Sequence, residues 1–328
     1  MISICIPVLN ESDEDIARVV ENLVDGYSED DIELIICNDG SVNDDATFRP
    51  IESIPFGNTI IINNHKRHGV GYSLDRCVEQ AAGDTIMILG CDVYPERGKW
   101  LQCVLNALKP QEIGCATSVG LFPGEFDINI PNKTHRYGAE MLYKITIDDL
   151  PPESELRKDP DYRDILNGRW ASKKSDEPYE ISCLMGAQYW MPTDFYRRMG
   201  GFDTVEGETF RGAIYWGHLE AHLSLKAKVY GEKCVVYPNI KAGHTFGRIT
   251  EENSDKHRAM RDDYRHWNAL WIAHTMLEES FRDELINFPH HSLNFSTAQA
   301  YIRRNWYKVQ EVRQRNEREG KLISKSDI

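Results

Sequence analysis

No stretch of this 328-residue chain approaches the ~20 consecutive apolar residues of a membrane-crossing helix, so no membrane span is expected. Positive charge is scarce. The 38 Lys and Arg face 52 Asp and Glu, for a formal net charge of −14 and a pI near 5.3. That balance argues against nonspecific binding to nucleic acid, whose affinity comes largely from neutralising phosphates. Eight cysteines are present, but no pair has zinc-ligand spacing. Cys5, Cys37 and Cys91 sit in or at the end of apolar, strand-like runs and read as reduced, buried thiols rather than a disulfide set. Internal repeats, low-complexity tracts and linker-like segments are also missing. The opening Met1–Val8 has no basic region and is too short for a secretory core, so it reads as a strand and the expected location is cytoplasmic.

What is present is ordinary globular material, 41% hydrophobic and 27% charged. The length suits one elaborated domain or two fused halves. Over the first 115 residues, short apolar runs alternate with amphipathic stretches, the pattern of βαβ units around a mostly parallel sheet. Strands are expected at 2–8, 32–37, 59–62 and 85–89. Ile16, Val19, Val20 and Leu23 fall at helical spacing behind Ser12, and Leu74, Cys77, Val78 and Ala81 form the face of a second helix ending at Gly83. In such sheets ligands gather beyond the carboxyl ends of the strands, so Pro7–Glu11, Asn38–Ser41 and Gly90–Asp92 should line one crevice.

From about residue 116 the rhythm is lost, and Phe126–Tyr179 reads as a long, irregular, polar insertion. Regularity returns over Ile181–Phe202. A helix is expected at Leu219–Tyr230 and a strand at Lys233–Tyr237. The tail should be helical over His257–Phe281 and again after Ser296-Thr297-Ala298-Gln299, with Ile302, Trp306, Val309 and Val312 on one face. Arg303, Arg304, Arg313, Arg315 and Arg318 then read as the solvated face of that helix. The division expected is 1–115, 116–250 and 251–328, the last a helical extension.

The chemistry-bearing groups are few. Trp216-Gly217-His218-Leu219-Glu220 is followed 24 residues later by Gly243-His244-Thr245-Phe246, and both lie downstream of the strand-end Asp92. A carboxylate, an imidazole and a second carboxylate are what a metal-dependent group transfer to an activated leaving group needs. Two would hold the cation and one would act as base.

Taken in order, these segments resemble the nucleotide-sugar glycosyltransferases of GT-A type, in particular glycosyltransferase family 2 and the polypeptide N-acetylgalactosaminyltransferases. The likeness covers residues 2–115 and 181–270. Ile6-Pro7-Val8-Leu9-Asn10-Glu11 looks like that family's first strand and nucleoside-contacting turn, and Asn38-Asp39-Gly40-Ser41 like its Asp-Asp-Gly-Ser. Gly83-Asp84 looks like the Gly-Asp that precedes the metal strand. Met185-Gly186-Ala187, Gly200-Gly201-Phe202-Asp203 and Trp216-Gly217 match the acceptor half.

The resemblance implies a Rossmann-like mixed sheet flanked by helices. It also implies Asp92 and His244 as metal ligands and Glu220 in the place of the base of inverting members. Where the family has an acidic first residue in Asp-x-Asp, this chain has Gly90, and where it has an acidic partner to the base, Leu219. Carboxylate ligation suits Mg²⁺ or Mn²⁺, and an added imidazole favours Mn²⁺. Pro7, Asn10, Glu11 and Asp39 would hold the nucleoside, although Asn-Asp-Gly-Ser is also ordinary turn chemistry. Arg67 and Arg248 are candidates for the diphosphate, where a guanidinium makes bidentate contacts. Trp216 would pack under a sugar or in the core. His218 and His222 read as surface or acceptor-contact residues.

The function expected is transfer of a sugar from a nucleoside diphosphate, most plainly a UDP-sugar, to an acceptor hydroxyl with inversion. The acceptor stays open among proteins, glycans, lipid-linked sugars and modified nucleic-acid bases. Alternatives are a nucleotidyltransferase of related fold, disfavoured by the acidic Asn10-Glu11-Ser12-Asp13 turn, and a catalytically silent binding module, suggested by Gly90.

Overall fold

A computed structural model describes residues 1–25, 27–28, 30–43, 47–54, 56–98, 100–122, 125, 127–129, 133–150, 157, 163–204, 218–245, 266–288 and 293–327. Strand β1 (Ile2–Val8) is apolar at nearly every position and almost wholly buried, so it takes a central place in the sheet. Helix α1 (Asp13–Val24) starts where Ser12 accepts a hydrogen bond from the Asp15 amide at 3.1 Å. Three acidic residues fill its first turn, where the helix dipole favours them. Strands β2 (Ile32–Asp39) and β3 (Thr59–Asn64), helix α2 (Val70–Gln80) and β4 (Thr85–Leu89) complete the βαβ series. All of these strands run parallel, in the order β4-β1-β2-β3.

Beyond β4 the sheet changes character. Strand β5 (Val93–Pro95) leads to α3 (Trp100–Ala107) and then to β6 (Glu112–Leu121), a long buried strand that no apolar run in the sequence announces because it contains Gly, Thr and Ser. The short β7 (His135–Arg136) pairs with β6. Strands β8 (Ala139–Thr146) and β9 (Arg163–Trp170) form a separate antiparallel ribbon, so the described part of the polar insertion is regular rather than irregular. Polar residues alternate outward there, and that alternation is the strand signal in a one-sided ribbon.

Strands β10 (Tyr179–Ile181) and β11 (Gln188–Pro192) follow, with β11 antiparallel to both β4 and β6. Helix α4 (Thr193–Met199), helix α5 (Leu219–Val229) and strand β12 (Lys233–Thr245) come next. The main sheet runs β10-β12-β6-β11-β4-β1-β2-β3, with β5 added to the end of β12. The expected mixed, mostly parallel sheet flanked by helices is therefore what forms. Strand β12 extends past Tyr237 to Thr245 instead of stopping short. Its register against β6 shifts between Tyr237 and Lys241, leaving Pro238, Asn239 and Ile240 outside the ladder. The proline has no amide to donate, which is why the ladder breaks there.

One face of the sheet is covered by α1 and α3 through Val19, Leu23, Trp100 and Leu101. The other is covered by α2, α4 and α5 through Leu74, Val78, Phe195 and Leu223. The tail folds back on this second side. Helix α6 (266–276) and α7 (Glu279–Ile286) pack against α5 and the β8–β9 ribbon, with Ile272, Met276 and Leu285 fully buried, while α8 (Leu293–Arg304) and α9 (Trp306–Glu319) pack on α6 through Ile302, Val309 and Trp271. Ser296 lies inside α8 rather than capping it, and the chain breaks at Asn305 between α8 and α9. Ile302, Val309 and Val312 are buried as expected, whereas Trp306 is 40% exposed. Residues 257–265 of the expected tail helix, together with Arg258, Arg261 and Arg265, lie outside the described residues.

Two expectations about polar residues are corrected, and the reading of the cysteines as reduced thiols holds. Arg313 and Arg315 are not on a solvated face. Arg313 donates to the Leu277 and His274 carbonyls at 2.8 and 3.0 Å, and Arg315 pairs with the buried Asp203. His218 and His222 are both buried, not surface residues. His218 Nε2 lies 2.9 Å from the Ile165 carbonyl oxygen, and His222 stacks on Phe202 with its Nε2 3.6 Å from Asp203 Oδ2. All eight cysteines are unpaired, and every one except Cys103 is buried.

Magnitudes decide which charges matter. Exposed pairs such as Lys233–Glu180 contribute about 0–1 kcal/mol each. Stripping a partner from the buried Asp203 group would cost about 3–5 kcal/mol, because a charge is left without compensation.

Burial pushes His222 down to about 4, against the pull of the Asp203 carboxylate. The folded imidazole thus stays neutral where the unfolded one takes a proton. The stability this gives is present above the unfolded value of about 6.5 and is lost as pH falls from there towards 4. Denaturant unfolding of His222→Gln at pH 7 and pH 5 should therefore show a smaller acid loss than the wild-type chain, by roughly 1–2 kcal/mol. An unchanged difference would place the acid sensitivity elsewhere.

Candidate functional site

The carboxyl ends of β1, β2 and β4 meet the end of β12 at one rim of the sheet. Asp92 follows β4 in the turn Gly90-Cys91-Asp92, closed by the Val93 amide donating to the Gly90 carbonyl at 3.1 Å. Strand β5 then runs antiparallel to β12, so that His244 sits opposite Val93. The Thr245 amide donates to the Asp92 carbonyl at 3.0 Å. This local pairing brings His244 Nε2 to 3.2 Å from Asp92 Oδ2, with the side chains 13% and 36% exposed. Two residues 152 positions apart thus form one partly open pair.

Gly90 has a steric reason. A Cβ built there would meet Asp92 Oδ1 at 2.8 Å, the Ala187 Cβ at 3.1 Å and Val93 Cγ2 at 3.3 Å. The carboxylate of Asp92 folds into the space that a side chain at position 90 would take. The Gly90 amide donates to the Ala187 carbonyl at 2.8 Å.

From Ala187 the contacts lead to Glu220. The Ala187 amide donates to the Tyr189 hydroxyl at 2.9 Å, and that hydroxyl donates to Glu220 Oε1 at 3.3 Å. Burial, and then the nearby Glu220 charge, push the Tyr189 phenol well above its ordinary value, so it stays a donor. Glu220 is half-buried in the first turn of α5, beside the amide end of the helix. Ser224 Oγ donates to the Glu220 carbonyl at 2.6 Å and accepts from the Leu184 amide at 2.8 Å, which ties α5 to the segment before β11. Tyr189 was not singled out from the sequence. Its only signal there was its place in the Gln188–Pro192 run just after Met185-Gly186-Ala187.

The residues expected at the nucleoside also converge, in roles that are largely internal. Asn10 has φ 65°. Its amide donates to Ser41 Oγ at 2.9 Å, and its Oδ1 accepts from the Val42 amide at 2.9 Å. Pro7 lies in β1 opposite Cys37. Glu11 Oε2 accepts from the Leu9 amide at 2.5 Å, closing the turn on itself. Asp39 is buried, and its two oxygens accept from the His68 and Gly69 amides at 2.8 and 2.7 Å. Burial raises the Asp39 carboxyl, while those two amides and the Arg67 charge work against the rise. Arg67 is half-buried near Asp39. Gly40 is required here. It has φ 78°, and a Cβ would meet the Lys66 carbonyl carbon at 2.5 Å. Trp216, Arg248 and Phe246 lie outside the described residues.

Among the described residues no group of three or more His, Cys, Asp or Glu side chains could hold a metal. The Asp92–His244 pair is nonetheless compatible with one. Its 3.2 Å separation is close to the ~3 Å edge of an octahedron built with bonds of about 2.1 Å, and an oxygen–nitrogen donor set suits Mn²⁺.

Residues 3–162 match the profile of glycosyl transferase family 2. The chain is 23% identical over 270 residues to polypeptide N-acetylgalactosaminyltransferase 8 of Drosophila melanogaster, covering 79% of this chain and 40% of that protein. It therefore spans well under half the length of that relative. A solved structure of GalNAc-T7 with UDP, GalNAc and Mn²⁺ superposes with a TM-score of 0.63 at 14% identity, over 98% of this chain and 55% of the other. A mannosyltransferase of Pyrobaculum calidifontis, solved with GDP-Man and Mn²⁺, gives a TM-score of 0.46 at 12% identity, over 96% and 73%. No described helix is long and apolar enough to cross a membrane. The sheet order is that of a GT-A-type fold, as in the GalNAc-T7 structure, and just under half of the chain is similar to glycosyl transferase family 2.

Proposed function

We propose that this chain transfers a sugar from a nucleoside diphosphate, in the first instance a UDP-sugar, to an acceptor hydroxyl. The observation that carries the reading is the Asp92–His244 pair at 3.2 Å on the rim where the parallel strands end. A divalent ion held there by Asp92 Oδ2 and His244 Nε2 would supply charge neutralisation for the departing diphosphate. UDP and Mn²⁺ in the GalNAc-T7 structure support that donor class.

The remaining work falls to the chain's own side chains. Glu220 accepts the acceptor hydroxyl's proton at Oε1 or Oε2, oriented by the Tyr189 hydroxyl. The Asn10–Glu11 turn and Asp39 shape the nucleoside wall. Because their polar atoms are satisfied by Ser41, Val42, Leu9, His68 and Gly69, they act first by holding the wall rigid. Arg67 and Arg248 are proposed to meet the diphosphate, and Trp216 a sugar ring. With Leu219 in place of a second acid, one carboxylate serves as base, and direct displacement with inversion is the reaction it fits. The acceptor class is one of protein, glycan, lipid-linked sugar or modified base.

Screening UDP-, GDP- and TDP-sugars for Mn²⁺-dependent hydrolysis, then profiling acceptors with the active donor, tests the reading. UDP binding without any turnover would favour a silent binding module, the alternative that Gly90 brings to mind. Alanine at Asp92 or His244 should lower metal-dependent donor turnover by at least about tenfold to a hundredfold and weaken Mn²⁺ binding measured by calorimetry. Intact turnover in both variants would remove the assignment.

Glu220→Gln should reduce kcat by about 10²–10⁴-fold while leaving UDP affinity nearly unchanged. Gly90→Ala is expected to weaken Mn²⁺ activation as well, since the new Cβ competes with the Asp92 carboxylate for space. A titration of activity against Mn²⁺ in that variant should shift to higher concentration.

A further inference from the structure

The turn Gly200-Gly201-Phe202-Asp203-Thr204 is gripped from three sides. From the donor half, Asp75 of α2 accepts hydrogen bonds from the Tyr196 hydroxyl at 2.7 Å, the Phe202 amide at 3.0 Å and the Thr204 amide at 3.1 Å. The fit is close, because a Cβ on Gly201 would meet Asp75 Oδ1 at 2.2 Å. From α5, Lys226 Nζ donates to the Gly201 carbonyl at 2.6 Å and to Asp203 Oδ1 at 2.7 Å. From α9, Arg315 Nη2 donates to the same Asp203 oxygen at 2.5 Å, and its guanidinium lies directly over Gly200. The Lys226 and Asp203 side chains are 0% and 1% exposed, so these charges meet in a dry interior.

Helix α5 is the link to the site. It begins with Leu219 and Glu220, and Lys226 lies less than two turns further along the same rigid rod. The helix has two polar anchors on either side of its axis. One is Ser224, tied to Leu184; the other is Lys226, tied to the 200–204 turn. The second anchor depends on Asp203 staying where it is. Burial pushes the Asp203 carboxyl up, but the Lys226 and Arg315 charges outweigh this and hold it well below the usual carboxylate range. Arg315 is itself fixed. Asn316 donates to the Thr275 carbonyl at 3.0 Å, and past the end of α9 the Lys321 amide donates to the Val229 carbonyl at the end of α5, at 2.7 Å.

We propose that Arg315, near the C-terminal end of the chain, is a positioning residue for the transfer: through Asp203 and Lys226 it sets the depth and angle at which α5 presents Glu220. The inference rests on the reading of Glu220 as base given above. Arg315 contacts Asp203 and Gly200, not Asp92, His244 or Glu220. Its effect reaches the reaction only through helix placement, so it should act on the transfer step and not on donor binding.

The test compares Arg315→Ala, Arg315→Lys and the exposed control Arg318→Ala in the full chain. Three measurements are needed: kcat, KM for the active UDP-sugar, and hydrogen exchange of the amides of Phe202–Thr204 and of the first turn of α5. For Arg315→Ala, kcat should fall by up to about a hundredfold with KM changed less than about threefold, as small displacements of a positioned group do. Exchange at those amides should quicken in the same variant. Arg315→Lys, which keeps one charged contact, should recover most of kcat, and Arg318→Ala should match the parent chain.

Unchanged kcat and unchanged exchange in Arg315→Ala would overturn the proposal. So would an equal rise in KM and loss of UDP binding, which would mean a general loss of structure. If Arg315→Ala does not fold, Arg315→Lys and Arg315→Gln carry the same comparison. Should Glu220→Gln prove fully active, the base assignment falls on that result alone. The exchange measurement still reports whether Arg315 holds α5.

Discussion

One short antiparallel pairing carries the candidate site: three residues of β5 against the last residues of β12. Strand β4 delivers Asp92 from the parallel half of the sheet, and β12 delivers His244 from the mixed half. Without the contact at Val93 and His244 the two would sit on separate strand ends. Main-chain hydrogen bonds, not the side chains, fix their distance. A pair held by backbone is already in place before any ion arrives, which is what pre-organisation for a doubly charged ligand requires.

The same logic runs through the turns proposed to face the nucleoside. Asp39, Asn10 and Glu11 each direct polar atoms to backbone amides of neighbouring turns. These side chains have the composition of a binding site and the wiring of a scaffold. A buried carboxylate accepting two amides is costly to move, because each orphaned amide would lose its partner in a place water does not reach. The loop from His65 to Gly69 is thereby locked onto the end of β2, and Gly40 provides the closeness that the lock needs.

Much of this was legible in the sequence and some was not, for physical reasons. The first four strands were visible because strands buried on both faces become unbroken apolar runs, as in Ile2–Val8 and Thr85–Leu89. Strand β6 hid because Gly114, Thr117 and Ser118 dilute its apolar content, and its burial comes from neighbours that sequence does not display. The β8–β9 ribbon hid behind its polar face. Asp92, His244 and Glu220 stood out because each sits at the start or end of a regular element with a distinctive flank. Tyr189 did not, since a tyrosine in an apolar run looks like core until its hydroxyl is seen to reach a carboxylate. The role of Arg315 was illegible for the same kind of reason. Its partner Asp203 is 112 positions away, and an arginine at the right helical phase for solvent looks solvated until the helix is docked.

The three residues of β12 that stand outside its ladder have a consequence for charge. Before Pro238 the strand is matched to β6 so that Tyr237 faces Ala116; after Ile240 it is matched so that His244 faces Gly120. Were the strand continued without that interruption, the residue opposite Gly120 would be Lys241, an ammonium in place of an imidazole. The proposed cation site would then face a fixed positive charge. The sign of the potential at this corner of the molecule is therefore set by chain length, by how many residues the strand spends before it resumes pairing, as much as by which residues it contains.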